Sequence, residues 1–351
     1  MSDKPVTIYD IAQLVNASAA TVSRVLSNSN YPVSSEMSKK IKEAAKQLNY
    51  TPNMLGRQLK KNNSMSIGVI IPSISNPFYA DVVLGIEEIA RQSGYQVLLC
   101  NAHQNPKLEA EYLQTLLEKQ VKGVIISSIS QRRGWLKPYL NRGVSIISID
   151  QRIESRQVVQ IGFDYRHGAY LACSHLIQRG HRRIAFISAA LNRSSRQHIH
   201  QGYQDAMQEA GITPLKAWIQ ISEDCEDTKY CSTFEFNNGK QLAHHLIAMP
   251  IQERPTAILS CNDLTAAGAI KELKEQGIDV PGQMSVIGFD NIELSEMLTP
   301  SLTTVNLPKY ELGTLACRTL MNLLNGDHVG EREMMLPPEV IERDSVVTRL
   351  E

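Results

Sequence analysis

Apolar residues along this chain recur first at helical spacing and later in unbroken runs. Ile8, Ile11, Ala12 and Val15 stand at i, i+3, i+4 and i+7, one stripe of an amphipathic helix. Thr7, with Asp10 three residues on, has the pattern of a capping box that opens it. Asn16-Ala17 breaks the run, and Ser18 is placed to N-cap a second helix. In that helix Val22, Val25 and Leu26 face inward, while Ala19, Ala20, Ser23 and Arg24 lie on the opposite side. A third helix follows Pro32, capped by Ser34 or Ser35, and buries Met37, Ile41, Ala44, Ala45 and Leu48. Two short helices across a tight turn, braced by a third, fit a helix-turn-helix; the pattern alone also fits a plain three-helix bundle.

From Ser66 onward, continuous apolar segments alternate with amphipathic ones. Strands are expected over 67–71, 97–100, 123–127 and 144–149, with helices over 80–92 and 108–119 between them. A second series follows, with strands over 158–163, 184–188, 257–260 and 285–289 and helices over 168–178, 202–210, 239–248 and 264–276. Strands without polar alternation, separated by helices, imply parallel sheets covered on both faces. Two series imply two doubly wound α/β lobes. Ligands of such sheets sit beyond the C-terminal strand ends. Those exits, at 73–79, 127–133, 150–152, 164, 189–196, 262–263 and 290–291, are polar and include Phe78 and Tyr79, which suits a polyhydroxylated ligand.

Charge and composition narrow the picture. The net charge of zero hides an asymmetry: residues 1–64 hold nine Lys/Arg and four Asp/Glu, leaving 27 and 32 for the rest. A basic head on a mildly acidic body points to an anionic partner for the head alone. No apolar run is long enough to span a membrane, and the N-terminus lacks the apolar core of an export signal, so a cytoplasmic protein is expected. Among six scattered cysteines only Cys225 and Cys231 lie close, and neither a disulfide nor a zinc site is expected there. Neither a dinucleotide-binding fingerprint, a phosphate loop, a nucleophile elbow nor a metalloprotease motif occurs. Adjacent His244 and His245 diverge on a helix, and His198 and His200 read as rim residues. The expectation is of no enzyme, no cofactor and no metal.

Three segments, Thr7-Ile8-Tyr9-Asp10-Ile11-Ala12, residues 18–26 (Ser-Ala-Ala-Thr-Val-Ser-Arg-Val-Leu) and Asn49-Tyr50-Thr51-Pro52-Asn53, closely resemble the lactose/galactose repressor (LacI/GalR) family. In the body, Ser75-Asn76-Pro77-Phe78-Tyr79, residues 168–187, Val286-Ile287-Gly288-Phe289-Asp290 and Leu302-Thr303-Thr304-Val305 extend the likeness. The resemblance implies a small all-α helix-turn-helix head on a periplasmic-binding-protein-like core of two doubly wound parallel-sheet lobes. It divides the chain into a DNA-binding domain (1–51), a hinge helix and linker (52–64), and an effector-binding and dimerisation core (65–351). The lobes are expected to comprise 65–161 with 293–325, and 162–292 with 326–351.

By the same resemblance Ala19, Ala20, Ser23 and Arg24 are the base-reading positions. Arg24 is suited to guanine, and Thr7, Tyr9, Ser18, Thr21 and Ser23 are suited to phosphate contacts that set register. Asn53 begins the hinge, and Leu59 stands where relatives wedge a leucine into the minor groove. Gly56 replaces the usual alanine, which costs a helix about 1 kcal/mol. Gly56→Ala is therefore expected to tighten operator binding, and an unchanged dissociation constant in a gel-shift titration counts against it. Phe78, Ser127, Asp150, Arg193, Ser195, Phe234, Asn262 and Asp290 correspond to effector contacts. Where relatives carry an arginine three residues before the Gly202-Tyr203 pair, this chain has Ile199; Arg193 or Arg196 is expected to take over, or the ligand to differ. Arg132, Arg133 and Arg152 at the exits make a sugar acid or sugar phosphate an alternative to a neutral sugar, unless they are solvated rim residues. The implied partners are a near-palindromic duplex DNA operator, a second copy of the chain and a carbohydrate-type effector.

Overall fold

The computed structural model describes residues 6–26, 31–50, 64–130, 132–223 and 233–349. Asn53, Gly56, Leu59, Cys225 and Cys231 lie outside the described residues. The chain divides into two compact units, Met1–Asn63 and Ser64–Glu351.

In the first unit, α1 (Ile8–Leu14), α2 (Ala19–Leu26) and α3 (Ser35–Gln47) close around Ile11, Val22 and Ile41, all fully buried. The local signals act as expected. The backbone N–H and hydroxyl of Thr7 both donate to the Asp10 carboxylate at 2.7 Å. Ser18 Oγ accepts the Thr21 N–H at 3.0 Å, and Ser34 Oγ accepts that of Met37 at 3.3 Å, so each satisfies a first-turn donor. Asn16 takes a left-handed φ of 50° and turns the chain between α1 and α2.

The second unit carries two six-stranded sheets. The first is built from β1 (Ser66–Ile71), α4 (Phe78–Gln92), β2 (Gln96–Asn101), α5 (Pro106–Glu118), β3 (Gly123–Ile126), α6 (Lys137–Leu140), β4 (Ser145–Ile149) and β5 (Val159–Phe163). The second contains α7 (Tyr165–Gln178), β6 (Ile184–Ser188), α8 (Ser194–Glu209), β7 (Ile219–Ile221), α9 (Phe234–Ile247), β8 (Ala257–Ser260), α10 (Asp263–Glu275) and β9 (Ser285–Asp290). The chain continues through α11 (Leu294–Met297), β10 (Thr303–Asn306), α12 (Lys309–Asn325), β11 (Glu333–Leu336) and β12 (Glu339–Ile341). Strand order is β11-β5-β4-β3-β1-β2 in one sheet and β12-β10-β9-β8-β6-β7 in the other.

This order corrects the expected lobe boundaries. Val158–Phe163 was placed in the second series with a boundary at 161/162, yet β5 pairs with β4 in the first sheet. Residues 293–325 were expected in the first lobe, but β10 pairs parallel to β9 in the second and only α12 returns to the first. Residues 326–351 were expected in the second lobe, but β11 pairs with β5. Pro337-Pro338 explains the last division: two residues without an N–H end one extended strand, and β12 starts afresh beside β10 in the other sheet. β12 runs antiparallel to β10, an exception to the all-parallel expectation.

Within the first lobe α4 and α12 meet backbone to backbone. A Cβ on Gly85 would strike the carbonyl of Tyr310, and one on Gly313 the carbonyl of Val82. Alanine normally favours a helix over glycine by about 1 kcal/mol. Gly313→Ala is nevertheless expected to destabilise the core by about 1–3 kcal/mol, because the two helices must part. Calorimetry checks this, and a rise in melting temperature would refute the close approach.

Candidate DNA-reading head and effector cleft

On the head, α2 presents Ala20 and Arg24 to solvent and leaves Ala19, Thr21 and Ser23 partly covered. Tyr9 on α1 is 71% exposed, and Thr7 and Ser18 are exposed at the two helix starts. The Arg24 guanidinium lies 4.0 Å from the centre of the Tyr31 ring, held by a cation–π contact. Small side chains and one planar cation therefore occupy the outer side of a short helix whose inner side is locked by Val22 and Val25. Such a helix fits the major groove.

In the core, strand exits of the first sheet converge on Asp150, which follows β4 with a left-handed φ of 61°. Its carboxylate accepts from Tyr79 Oη at 2.8 Å, Ser127 Oγ at 3.1 Å, Gln151 Nε2 at 2.9 Å and the Tyr165 hydroxyl. Burial, with the Asp150 charge adding to it, pushes both tyrosine hydroxyls well above their usual pKa, so they remain donors. Gln151 carries the network across the lobes: its Nε2 also donates to Ser195 Oγ at 2.9 Å, and Ser194 Oγ donates to its Oε1 at 3.1 Å. Arg193 makes a second bridge, to Gln104 Oε1 at 2.9 Å. Phe78 packs in the apolar core behind Tyr79, edge-on to it with centroids 5.0 Å apart and edge-on to Phe163 at 6.1 Å.

Hydrogen bonds bring Ser127, Asp150 and Ser195 together through Gln151, and Arg193, Phe234 and Tyr79 line a cavity of about 20 Å³. That volume holds little more than a water. Asn262 caps α10 by accepting the Thr265 N–H at 2.8 Å. Asp290 ends β9 at φ 111°, a conformation rare outside glycine. Burial raises the Asp290 carboxyl well above the usual range, with the neighbouring Asp263 charge adding to the rise. Asp263 itself is raised to about 6 by burial, against hydrogen bonds from Thr304, Ser295 and Ile292. Lys309, at the start of α12, donates to the carbonyls of Asp290 and Asn291 at 2.7 and 2.9 Å and so ties the first lobe to this strand end.

Two expectations about the arginines change. Ile199, where relatives carry arginine, is 2% exposed and belongs to the apolar core under α8. Arg196 does not take over. It points to Glu235, whose Oε1 it meets at 2.5 Å, and to the carbonyl of Ala190 at 3.2 Å. The sequence reading missed Glu235, Gln104 and Tyr165, and named Tyr79 and Gln151 only as parts of strand exits. Adjacency to Asp150 was the one available signal for Gln151. The others lie far along the chain, and Glu235 belongs to a helix that starts five residues before the expected one, at 234.

Comparison with known proteins agrees with this architecture. The family "Bacterial regulatory proteins, lacI family" matches residues 7–53, and "Periplasmic binding protein-like domain" matches 173–346. The chain is 34% identical to the HTH-type transcriptional repressor PurR of Vibrio cholerae over 97% of this chain and 98% of that one. It is 32% identical to the ribose operon repressor of Haemophilus influenzae, again over 97% and 98%. The solved Lac repressor dimer bound to operator and the anti-inducer ONPF superposes with a TM-score of 0.82 at 26% identity, covering 98% of this chain and all of that one. With both the helix-turn-helix head and the two-lobed core present, the chain belongs to the lacI family of bacterial regulatory proteins and is a DNA-binding transcription regulator rather than an enzyme.

Proposed function

We propose that this protein represses carbohydrate-use genes in the cytoplasm by binding a near-palindromic operator as a homodimer, with its grip set by a sugar-like effector between the lobes. The observation that carries the effector reading is the cross-lobe network through Asp150, Gln151 and Ser195, joined by Arg193 and Gln104. Each of these side chains can exchange its cross-lobe partner for a ligand hydroxyl. A bound sugar would then favour one spacing of the lobes over another, a population shift that biases the DNA-facing end. The ribose operon repressor among the relatives favours a carbohydrate effector.

Ala19, Ala20, Ser23 and Arg24 read bases in this proposal, while Thr7, Tyr9, Ser18 and Thr21 position the backbone; Asn53, Gly56 and Leu59 form the hinge. One such head buries little surface, so two half-sites call for a dimer. Leu84 on α4 and Leu99 on the edge strand β2, elements packed on one another, are 58% and 41% exposed and supply an apolar face for it.

Selection of bound DNA fragments by the full-length protein, with and without candidate sugars, tests the whole proposal. A palindromic consensus whose recovery changes with one sugar is expected. No preference for any palindrome over random duplex would overturn it, and a monomer by light scattering at micromolar concentration would remove the dimer.

A further inference from the structure

A cavity of about 330 Å³ adjoins the effector cleft, sharing Gln151, Arg193 and Ser194 with the cross-lobe network. Its wall also holds Arg132, Arg133 and Arg152. Among the described residues a single carboxylate, Glu154, lines it, and Arg133 engages that carboxylate at 2.9 Å. Arg152 reaches Glu333 at 3.4 Å, and Arg193 donates to the neutral Gln104 at 2.9 Å with the Glu235 and Asp150 charges nearby. Arginine does not deprotonate in proteins, so this wall keeps its positive charge and offers donors to an anion.

Two further features point the same way. The Trp135 indole N–H, on the same wall, is buried with no hydrogen-bond partner among the described residues. It is a donor only and needs an acceptor. Helix α8 begins at this wall, and its N-cap, Arg193, supplies no side-chain acceptor to the first-turn N–H groups. Unanswered N–H groups at a helix start favour negative charge. The arginine-bearing segment is also anchored at its base: the fully buried Glu109 accepts from Ser128 Oγ at 2.6 Å and from the Ile129 N–H at 2.9 Å.

Guanidinium, indole and helix-start donors together suit an acceptor-only oxyanion better than neutral hydroxyls, which must also donate. We infer that the effector is an anionic sugar derivative whose phosphate or carboxylate sits among Arg132, Arg152, Arg193 and Trp135 while its hydroxyls face Asp150 and Gln151. This rests on the proposed effector cleft and names the charge of the ligand that fills it.

Isothermal titration of the full-length protein with phosphate esters of ribose and glucose, gluconate, neutral ribose and glucose, and inorganic phosphate as the bare-anion probe tests this. At least one charged sugar is expected to bind about tenfold or more tightly than its neutral parent, the margin shrinking with salt. The ester and gluconate arms tell phosphate from carboxylate. In the Arg132→Ala/Arg152→Ala protein the charged-to-neutral ratio should fall about tenfold. Trp135→Phe, which keeps the ring and removes the N–H, should lower the ratio a few-fold. Neutral sugars binding as tightly as every charged counterpart, or a ratio unmoved in both variants, overturns the anionic site and leaves the effector cleft standing. If none of the probes binds and none changes operator affinity, both fall.

Discussion

Arg24→Ala is expected to weaken operator binding by about 2–6 kcal/mol in a dimer, on the order of thirtyfold to ten-thousandfold, while random duplex is bound nearly as before. The range follows from about 1–3 kcal/mol for one bidentate arginine–guanine contact in each half-site. Arg24 is exposed in the last turn of α2 and rests on Tyr31, so its removal leaves the buried side of the helix untouched. The cation–π contact that is lost is worth only about 0.5–1 kcal/mol at an exposed site. Arg24→Lys sharpens the test. It keeps the charge but lacks the planar fork, so base preference should fall while the salt dependence of binding holds. Fluorescence anisotropy at matched salt, with melting curves to confirm folding, reads both. An Arg24→Ala protein that still prefers operator to random DNA as the parent does would remove α2 as the base reader.

The Arg196–Glu235 pair carries the second large expectation, this time in stability. Its side chains are 9% and 12% exposed, and Thr265 Oγ1 also donates to Glu235, at 3.3 Å. Deleting one member of such a pair strands a buried charge, so Glu235→Ala should cost about 3–5 kcal/mol at neutral pH. The double variant Arg196→Met/Glu235→Leu should recover most of that, since no charge is left without a partner. The pH dependence has a definite sign. Burial raises the Glu235 carboxyl, but Arg196 and Arg193 outweigh it and hold the pKa below its ordinary value of 4.5. A carboxylate lowered in the folded state stabilises above its unfolded pKa and loses that contribution as pH falls through the folded one. The gap between parent and Glu235→Ala should therefore be full at neutral pH and narrow below 4.5. Denaturant titrations at both ends of that range measure it. A cost under about 1 kcal/mol at neutral pH, the value of an ordinary exposed pair, would show that the two charges are not coupled.

The head illustrates how far local signals reach. Thr7 with Asp10, Ser18 with Thr21 and Ser34 with Met37 are each three residues apart, and the structure forms all three as hydrogen bonds. The outer side of α2 follows from helical periodicity once Val22 and Val25 are buried. Periodicity also located most core helices, but several start earlier than their apolar stripes: α8 at 194 rather than 202, and α9 at 234 rather than 239. Polar first turns facing the cleft carry no apolar spacing to announce them, and these are the turns that hold Ser195, Arg196 and Glu235.

By itself the amino-acid order determined the class of most segments up to residue 289, the helix caps of the head, and the polar strand exits, because those depend on contacts within a few residues. Tertiary structure alone decided which sheet receives β5, β10 and β11, since strand partners are chosen by long-range pairing that no local period encodes. It also decided that Asp150 gathers Tyr79, Ser127 and Tyr165, that Ile199 lies in the core, and that Arg196 pairs with Glu235. A charged side chain is drawn to whichever opposite charge folding buries beside it, and that neighbour is set by the packing of α8 and α9, not by its distance along the chain.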